Sequence, residues 1–488
     1  MTPTLTGRRT KIVCTIGPAC QGSVLEQLMV AGMNVARLNF SHGTREEHAG
    51  WIRRIREGAA KLGMPLAILQ DLAGPKVRIG AVAGGEAILS DGEAFYLSTG
   101  EVPGPQPGVS VNYPQIIAET PVGERIMLAD GNLELRVEEK APQSLRCRVV
   151  VGGVLRSQVG IIFPTQSLSV PALTPKDYED LRFGLSQGVD FVALSYVRSA
   201  LDVLAAREFI RGQGAEVPII AKIEKHEALG NLEEILAAAD GLMVARGDLG
   251  VEVPLERVPL LQKQIIAAAN RAGKPVITAT QMLLSMVDHA RPSRAEATDV
   301  ANAILDGTDA VMLSEETAAG HYPVEAVKFL DQVSRATEEN FPYAAWLRSR
   351  AAEGRREISE AVSYAAGEMA LDLEAAAILT NTDGGGTARL ISRFRPQTPI
   401  IACTSRPETW RRLCLSWGVL PLLIPPLTDI DEMLRVVEAE SVKAGLLRPG
   451  DRVVITAGTP IGTRGTTNLI KAATISGSEA KKPVISAT

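Results

Sequence analysis

PIIAKIEK (218–225), HEALGNLEEILAAAD (226–240) and GLMVARGDLGVE (241–252) run consecutively, and the fold can be read outward from them. Two short apolar segments, 219–221 and 242–245, each end abruptly in charge. The first delivers Lys222 and Glu224, two residues apart, so in an extended chain both side chains share a face. The same argument predicts Arg246 and Asp248 on one face, with Gly247 between them where the backbone can approach a ligand closely. A cation beside two carboxylates at the carboxyl ends of parallel strands suits a hard divalent metal and an anionic substrate.

Six more runs of this kind flank the pair: KIVCTIG (11–17), NVARLNFSHG (34–43), PLAILQD (65–71), DFVALSYV (190–197), PVITATQ (275–281) and DAVMLSEET (309–317). They are continuously apolar rather than alternating, and helical patterns separate them. That combination predicts a parallel sheet covered on both faces. Gly32 is placed to end one helix, and Thr174-Pro175 to open another. Eight strand–helix units are the number that closes a (β/α)₈ barrel, whose chemistry sits at the strand carboxyl ends.

After Asp71 the character changes. From about 76 to 164 the segments are short and β-rich, with hairpin signals at Asp130-Gly131-Asn132 and Gly152-Gly153, which predicts a small all-β insertion. Beyond 347 a new alternation begins, AAAILTNT (375–382), PIIACTS (399–405), VLPLLIP (419–425) and DRVVITAG (451–458), the pattern of a separate open-sheet domain. The expected divisions are 1–72 with 168–346, then 73–167, 347–475 and a tail at 476–488.

The chain has 488 residues, 45% hydrophobic and 22% charged, as in globular proteins of several domains. Its net charge is −5 and it carries no Lys/Arg tract, so neither nucleic acid nor a membrane surface is expected as a partner. Cysteines 14, 20, 147, 403 and 414 form no CxxC pair, which suggests reduced thiols. MTPTLTGRRTKIV lacks the apolar core of a signal peptide, and no stretch approaches a membrane span. A cytoplasmic location is expected.

TKIVCTIGPA (10–19), MNVARLNFSHG (33–43), IIAKIE (219–224), MVARGDLGVE (243–252), GKPVITATQML (273–283), RPSRAEATDVANAILDGTDAVMLSEETA (291–318) and GTTNLIK (465–471) occur in order. With them the chain resembles the pyruvate kinase family over most of its length. The resemblance implies an α/β fold: a (β/α)₈ TIM barrel with an inserted small β-barrel domain and a C-terminal open-sheet α/β domain. It implies the glycolytic transfer of a phosphoryl group from phosphoenolpyruvate to ADP, giving pyruvate and ATP. Such chemistry is mostly positioning and charge neutralisation.

Carried over residue by residue, the resemblance makes Glu224 and Asp248 ligands of Mg²⁺ (or Mn²⁺). Lys222 would neutralise the phosphoryl in flight and the enolate, and Arg37 would hold the phosphoryl. Thr280 would help route the enolate proton, and the Gly247 and Asp248 amides would receive the substrate carboxylate. Ser314 would join the proton network, although Glu315 and Leu284 depart from the family pattern. His42 and Arg78 are candidate nucleotide contacts. SQVGIIFP (157–164) departs from the family's SKKGVNLP, so lid contacts to nucleotide are not carried over.

DLAGPKVRIG (71–80) stands where many members read DTKGPEIRTG and bind K⁺ near Asn39, Ser41 and Asp71. Lys76 would bring the charge of K⁺ and repel the ion, and Leu72 in place of threonine fits the same reading. The expectation is catalysis that needs Mg²⁺ but not K⁺. TNTDGGGTARLISRFRP (380–396) is similar to the family's effector loop. There Thr382, Gly384, Gly385, Gly386 and Thr387, with Arg464 opposite, would hold a phosphorylated effector against the adverse charge of Asp383. The resemblance also implies a homotetramer. A metal-dependent barrel lyase would leave Lys222 with Arg37 unexplained, and a non-catalytic sensor would not need the intact charged set.

Overall fold

The computed structural model describes residues 7–476 apart from 101, 103–105, 130, 165–168, 353–356, 428 and 460–464. Eight parallel strands close the barrel: β1 (Lys11–Thr15), β2 (Val35–Asn39), β3 (Ala67–Asp71), β12 (Phe191–Leu194), β13 (Ile219–Ile223), β14 (Gly241–Ala245), β15 (Val276–Ala279) and β16 (Ala310–Leu313). The ring runs β1-β16-β15-β14-β13-β12-β3-β2. Alternate residues of these strands divide between two cores. Val13, Val35, Leu69, Ile220, Met243 and Ile277 pack together, while Ile12, Ala36, Ile68, Ile219, Leu242 and Val276 join the layer shared with the helices. Burial on both faces is why the runs read as unbroken apolar stretches. Thr174 opens its helix with a capping box to Asp177, and Gly32 ends another at φ 124°.

The insertion leaves the barrel after β3. Its strands are β4 (Glu86–Leu89), β5 (Ala94–Ser98), β6 (Gly108–Ser110), β7 (Arg125–Leu128), β8 (Leu133–Ala141), β9 (Ser144–Val151), β10 (Gly153–Arg156) and β11 (Ile161–Ile162). The expected small barrel takes the form of a six-stranded sheet, β11-β7-β8-β9-β5-β6, and a two-stranded ribbon, β10-β4, around one core. Gly131 lies in the hairpin joining β7 and β8, while Asp130 falls outside the described residues. The hairpin expected at Gly152-Gly153 is corrected: β10 does not fold back on β9 but crosses to pair with β4. A Cβ at Gly152 would stand 2.3 Å from the Leu89 carbonyl oxygen, so this glycine serves close backbone approach rather than a tight turn.

In the C-terminal region β17 (Ala377–Asn381), β18 (Ile400–Thr404), β19 (Val419–Leu423), β20 (Arg452–Gly458) and β21 (Thr467–Thr474) form an open sheet, β19-β18-β17-β20-β21, parallel except for β21. It docks on the barrel floor. There Arg411 pairs with Asp190 at 2.7 Å, Arg395 with Asp309 at 3.1 Å, and the Lys11 ammonium donates to the Val419 carbonyl at 2.8 Å.

Candidate active site

Strand ends β2, β3 and β13 bring Arg37, Asp71, Lys222 and Glu224 into one buried cluster. Arg37 reaches Asp71 Oδ2 at 2.6 Å through one terminal nitrogen, and another donates to Thr15 Oγ1 at 2.9 Å. Lys222 Nζ lies 2.8 Å from Glu224 Oε1 and 3.3 Å from Asp71 Oδ1, and donates to Ser195 Oγ at 2.7 Å. Burial alone would raise the Asp71 carboxyl; Lys222 and Arg37 outweigh it and hold it below the usual carboxylate range. Burial likewise opposes the Lys222 charge, yet Asp71 and Glu224 keep that ammonium well above its ordinary value. Lys222 is therefore a fixed cation at neutral pH.

Glu224 is the exception. Burial, reinforced by the charge of Asp248, raises its carboxyl against the pull of Lys222. Tyr196 N–H donates to Oε2 at 2.8 Å; Oε1 has the Lys222 ammonium 2.8 Å away as an ion-pair partner and accepts no well-formed hydrogen bond among the described residues. Asp248 lines the cleft between barrel and insertion, and its carboxylate makes no hydrogen bond or ion pair among the described residues. A buried oxygen without a well-formed hydrogen bond near an unpaired carboxylate is a donor set that fits Mg²⁺, which takes few protein oxygens and keeps water. The neighbouring acids differ: Glu252 already pairs with Lys225 at 2.6 Å and His226 at 2.9 Å.

The shared face expected for Arg246 and Asp248 is corrected. The chain turns helical over Arg246–Glu252, where residues two apart point to nearly opposite sides. Arg246 pairs with Asp299 at 2.7 Å and donates to the Thr280 carbonyl at 2.6 Å, away from the cluster. Thr280 has φ 69°, unusual for a β-branched residue, and Gln281 follows at 53°. Gly247 N–H donates to Thr280 Oγ1 at 2.8 Å, and that hydroxyl donates to the Ala279 carbonyl at 2.6 Å. A substrate carboxylate at Gly247 would therefore have to displace the threonine hydroxyl.

Ser195 and Tyr196 join the site without having been singled out by the sequence. Ser195 Oγ accepts from Lys222 and donates to the Leu72 carbonyl at 2.8 Å; Tyr196, at φ 56°, presents its amide to Glu224. The only signal was polarity at the end of DFVALSYV. A Cβ at Gly74 (φ 68°) would stand 2.8 Å from the Tyr196 ring, so a glycine is needed where the insertion departs. Ser314 Oγ is buried without a partner among the described residues, while its N–H donates to buried Glu316 at 2.6 Å; Glu315 and Leu284 are exposed.

The remaining candidates lie around this centre. Asn39 faces Asp71 in register and accepts from Ser41 N–H at 3.1 Å. Leu72 is in the barrel core. Lys76 lines the cleft with Asp248 and Tyr196 and lies against Gly160; no ion pair joins it to Asp71 among the described residues. His42 is exposed beside this end of the barrel, and Arg78 is held in the insertion by the Gln158 carbonyl at 2.9 Å. Far below, Thr382, Gly384, Gly386 and Thr387 line a cavity under the barrel. Gly385 has φ 80°, Thr387 meets Thr467 at 2.7 Å, Arg406 lies 3.4 Å from Asp383, and Arg464 falls outside the described residues.

Residues 7–327 match the family described as "Pyruvate kinase, barrel domain", and residues 360–473 that described as "Pyruvate kinase, alpha/beta domain". The chain is 50% identical to "Pyruvate kinase" of Geobacillus stearothermophilus over 96% of its own length and 81% of that protein's. It is 50% identical to "Pyruvate kinase 2" of Synechocystis over 95% of its length and 79% of that protein's. With "Pyruvate kinase" of Staphylococcus aureus MRSA252 it shares 46% over 95% and 80%. Among the described residues no helix is long and apolar enough to cross a membrane.

Proposed function

The chain belongs to the pyruvate kinase family, and from that premise we propose how its own residues carry phosphoryl transfer from phosphoenolpyruvate to ADP, giving pyruvate and ATP. The observation that carries the reading is the meeting of Lys222 with Asp71 and Glu224 beside the unpaired Asp248. Glu224 and Asp248 would hold Mg²⁺ (or Mn²⁺). A bound divalent ion supplies charge neutralisation to phosphoryl and enolate oxygens.

Lys222, kept protonated by its two carboxylates, faces the transferring phosphoryl and then the enolate oxygen. Arg37, fixed by Asp71 and Thr15, grips a phosphoryl oxygen without having to reorganise. Thr280 yields its bond to Gly247 when the substrate carboxylate arrives, and its freed hydroxyl relays the proton that converts the enolate to pyruvate. His42 and Arg78 are proposed contacts for ADP. The separate units at 1–72 with 168–346, 73–167 and 347–475, the cytoplasmic location and the homotetramer are likewise proposals, resting on the resemblance.

Lys76 is proposed to replace K⁺, supported by its place in the cleft and by the capture of Asp71 by Arg37 and Lys222. The loop with Thr382, Gly384, Gly385, Gly386 and Thr387 is proposed as the seat of a phosphorylated effector, supported by the cavity it lines and by Arg406, which neutralises Asp383. The test is ATP and pyruvate formation with Mg²⁺, first with tetramethylammonium as the monovalent cation and then with K⁺ at equal ionic strength. Full activity in the first buffer is expected. A many-fold rise with K⁺ would remove the Lys76 proposal and keep the kinase; no ATP in either buffer would remove the mechanism.

A further inference from the structure

Neighbouring strands of the barrel each deliver one residue to the charged cluster. In ring order they are β1 with Thr15, β2 with Arg37, β3 with Asp71, β12 with Ser195 just past its end, and β13 with Lys222. Asp71 stands in the middle and pairs with both cations. Each cation also meets a hydroxyl from the strand beside its own. Arg37 donates to Thr15 Oγ1 at 2.9 Å, and Lys222 donates to Ser195 Oγ at 2.7 Å. Each hydroxyl in turn donates to a carbonyl on its other side. Thr15 donates to Leu313, the last residue of β16, at 2.9 Å, and Ser195 to Leu72, just past β3, at 2.8 Å. Thr15 and Ser195 are both buried.

A hydroxyl carries one proton and two lone pairs. With that proton held by a backbone carbonyl, it presents only lone pairs to the cation and is a fixed acceptor. The contact of Ser195 Oγ with Asp71 Oδ1 is longer, 3.5 Å, so its proton belongs to Leu72. The acceptor is also neutral. A further carboxylate in its place would cancel charge that the reaction directs at phosphoryl and enolate oxygens. The carboxylates already present have other commitments: Asp71 is divided between two cations, and Glu224 is a proposed ligand of Mg²⁺. Among the described residues, Ser195 is the acceptor that Lys222 shares with no other cation.

We propose that Thr15 and Ser195 are positioning residues for the phosphoryl transfer: their hydroxyls aim Arg37 and Lys222 without neutralising them. The proposal rests on the roles given above to those two cations and deepens them. Each hydroxyl acts through the cation it holds rather than on the substrate.

The experiment is steady-state kinetics of ATP formation with Mg²⁺ by the wild type, Lys222→Met, Ser195→Ala, Thr15→Val and Thr15→Ser. Mn²⁺ affinity is read by electron paramagnetic resonance, and folding by thermal midpoints. Valine matches threonine in shape without the hydroxyl, and serine keeps the hydroxyl without the methyl. Ser195→Ala is expected to lower kcat about tenfold to a hundredfold, with the KM for phosphoenolpyruvate within about twofold of wild type. Arg37 grips the phosphoryl before and during transfer, so Thr15→Val is expected to lower kcat/KM for phosphoenolpyruvate about tenfold or more. Thr15→Ser is expected to recover to within about threefold of wild type. Mn²⁺ affinity is expected to stay unchanged in all three.

A wild-type kcat in Ser195→Ala, or a wild-type kcat/KM in Thr15→Val, would overturn the role of that hydroxyl. Loss of Mn²⁺ affinity in step with kcat would place Ser195 behind Glu224 rather than Lys222 and overturn its assignment. Thr15→Ser no more active than Thr15→Val would show that packing, not the hydroxyl, matters there. The Thr15 pair decides the pattern if Ser195→Ala fails to fold. Wild-type rates in Lys222→Met would remove the cation reading itself, and this proposal with it.

Discussion

Two buried lysines in one barrel show how partners decide charge. Lys222, at the upper rim, is only slightly more exposed than Lys11 at the floor. Lys222 has Asp71 and Glu224 within ion-pair distance and stays firmly protonated. Lys11 has a carbonyl oxygen, and burial with the nearby Arg8 charge lowers it from an ordinary 10.5 to about 8. The consequence for stability has a definite sign. Below pH 8 the ammonium is charged in both folded and unfolded chains, and the folded state carries the full desolvation penalty, on the order of 3 kcal/mol. Between about 8 and 10.5 the folded protein has released this proton while the unfolded chain keeps it, so stability rises with pH. The stability of the wild-type protein relative to Lys11→Met should therefore climb as pH goes from 7.5 to 10. Urea midpoints of both proteins across that range check it, and a flat difference would contradict it.

At the scale of elements, the strands were legible because burial on both faces writes continuous apolar runs, and the polar residues ending them marked the site. The path of the chain beyond each strand end was not legible. An apolar run ending in Arg-Gly-Asp reads equally as strand extension or helix start, and only packing sends residues 246–252 into a helix. The positive φ of Tyr196 and Thr280 is likewise imposed from outside, by the amide that Glu224 takes and the carbonyl that Arg246 holds. Gly152-Gly153 has turn composition, yet its role is set by Leu89, more than sixty residues earlier. Arg246 thus acts through the loop it holds, bonding to Asp299 and to the carbonyls of Ala279 and Thr280. Arg246→Lys keeps the charge but cannot reproduce that fork. Displacing Thr280 should lower kcat about tenfold to a hundredfold, while Mn²⁺ affinity, read by electron paramagnetic resonance, stays unchanged. An equal loss in metal affinity would mean that Arg246 supports Asp248 rather than Thr280.

For the molecule as a whole, the question is what makes barrel and C-terminal domain one body. Much of the answer converges on Arg395, 1% exposed at φ 48° and lodged in the barrel floor. Its guanidinium donates to Asp309 at 3.1 Å, Asn270 at 2.8 Å and the Gly307 carbonyl at 2.7 Å, and its carbon Cζ lies 4.9 Å from the centre of the Trp417 ring. In the sequence this residue was one arginine among several in a basic helical run, with nothing to separate it from Arg389 or Arg393. Its importance comes from Asp309, a buried carboxylate that, among the described residues, otherwise accepts only backbone N–H groups, from Val276 and, at 3.3 Å, from Trp417. Arg395→Met keeps the bulk and removes the charge, leaving Asp309 uncompensated at the seam, a loss of about 3–5 kcal/mol by the cost of breaking buried pairs. The penalty falls on the interface rather than on either core, so the two domains should cease to unfold together. Calorimetry is expected to show one transition for the wild type and two for the variant, the lower belonging to the C-terminal domain. A single transition at an unchanged temperature would show that the apolar contacts of the seam suffice without the ion pair.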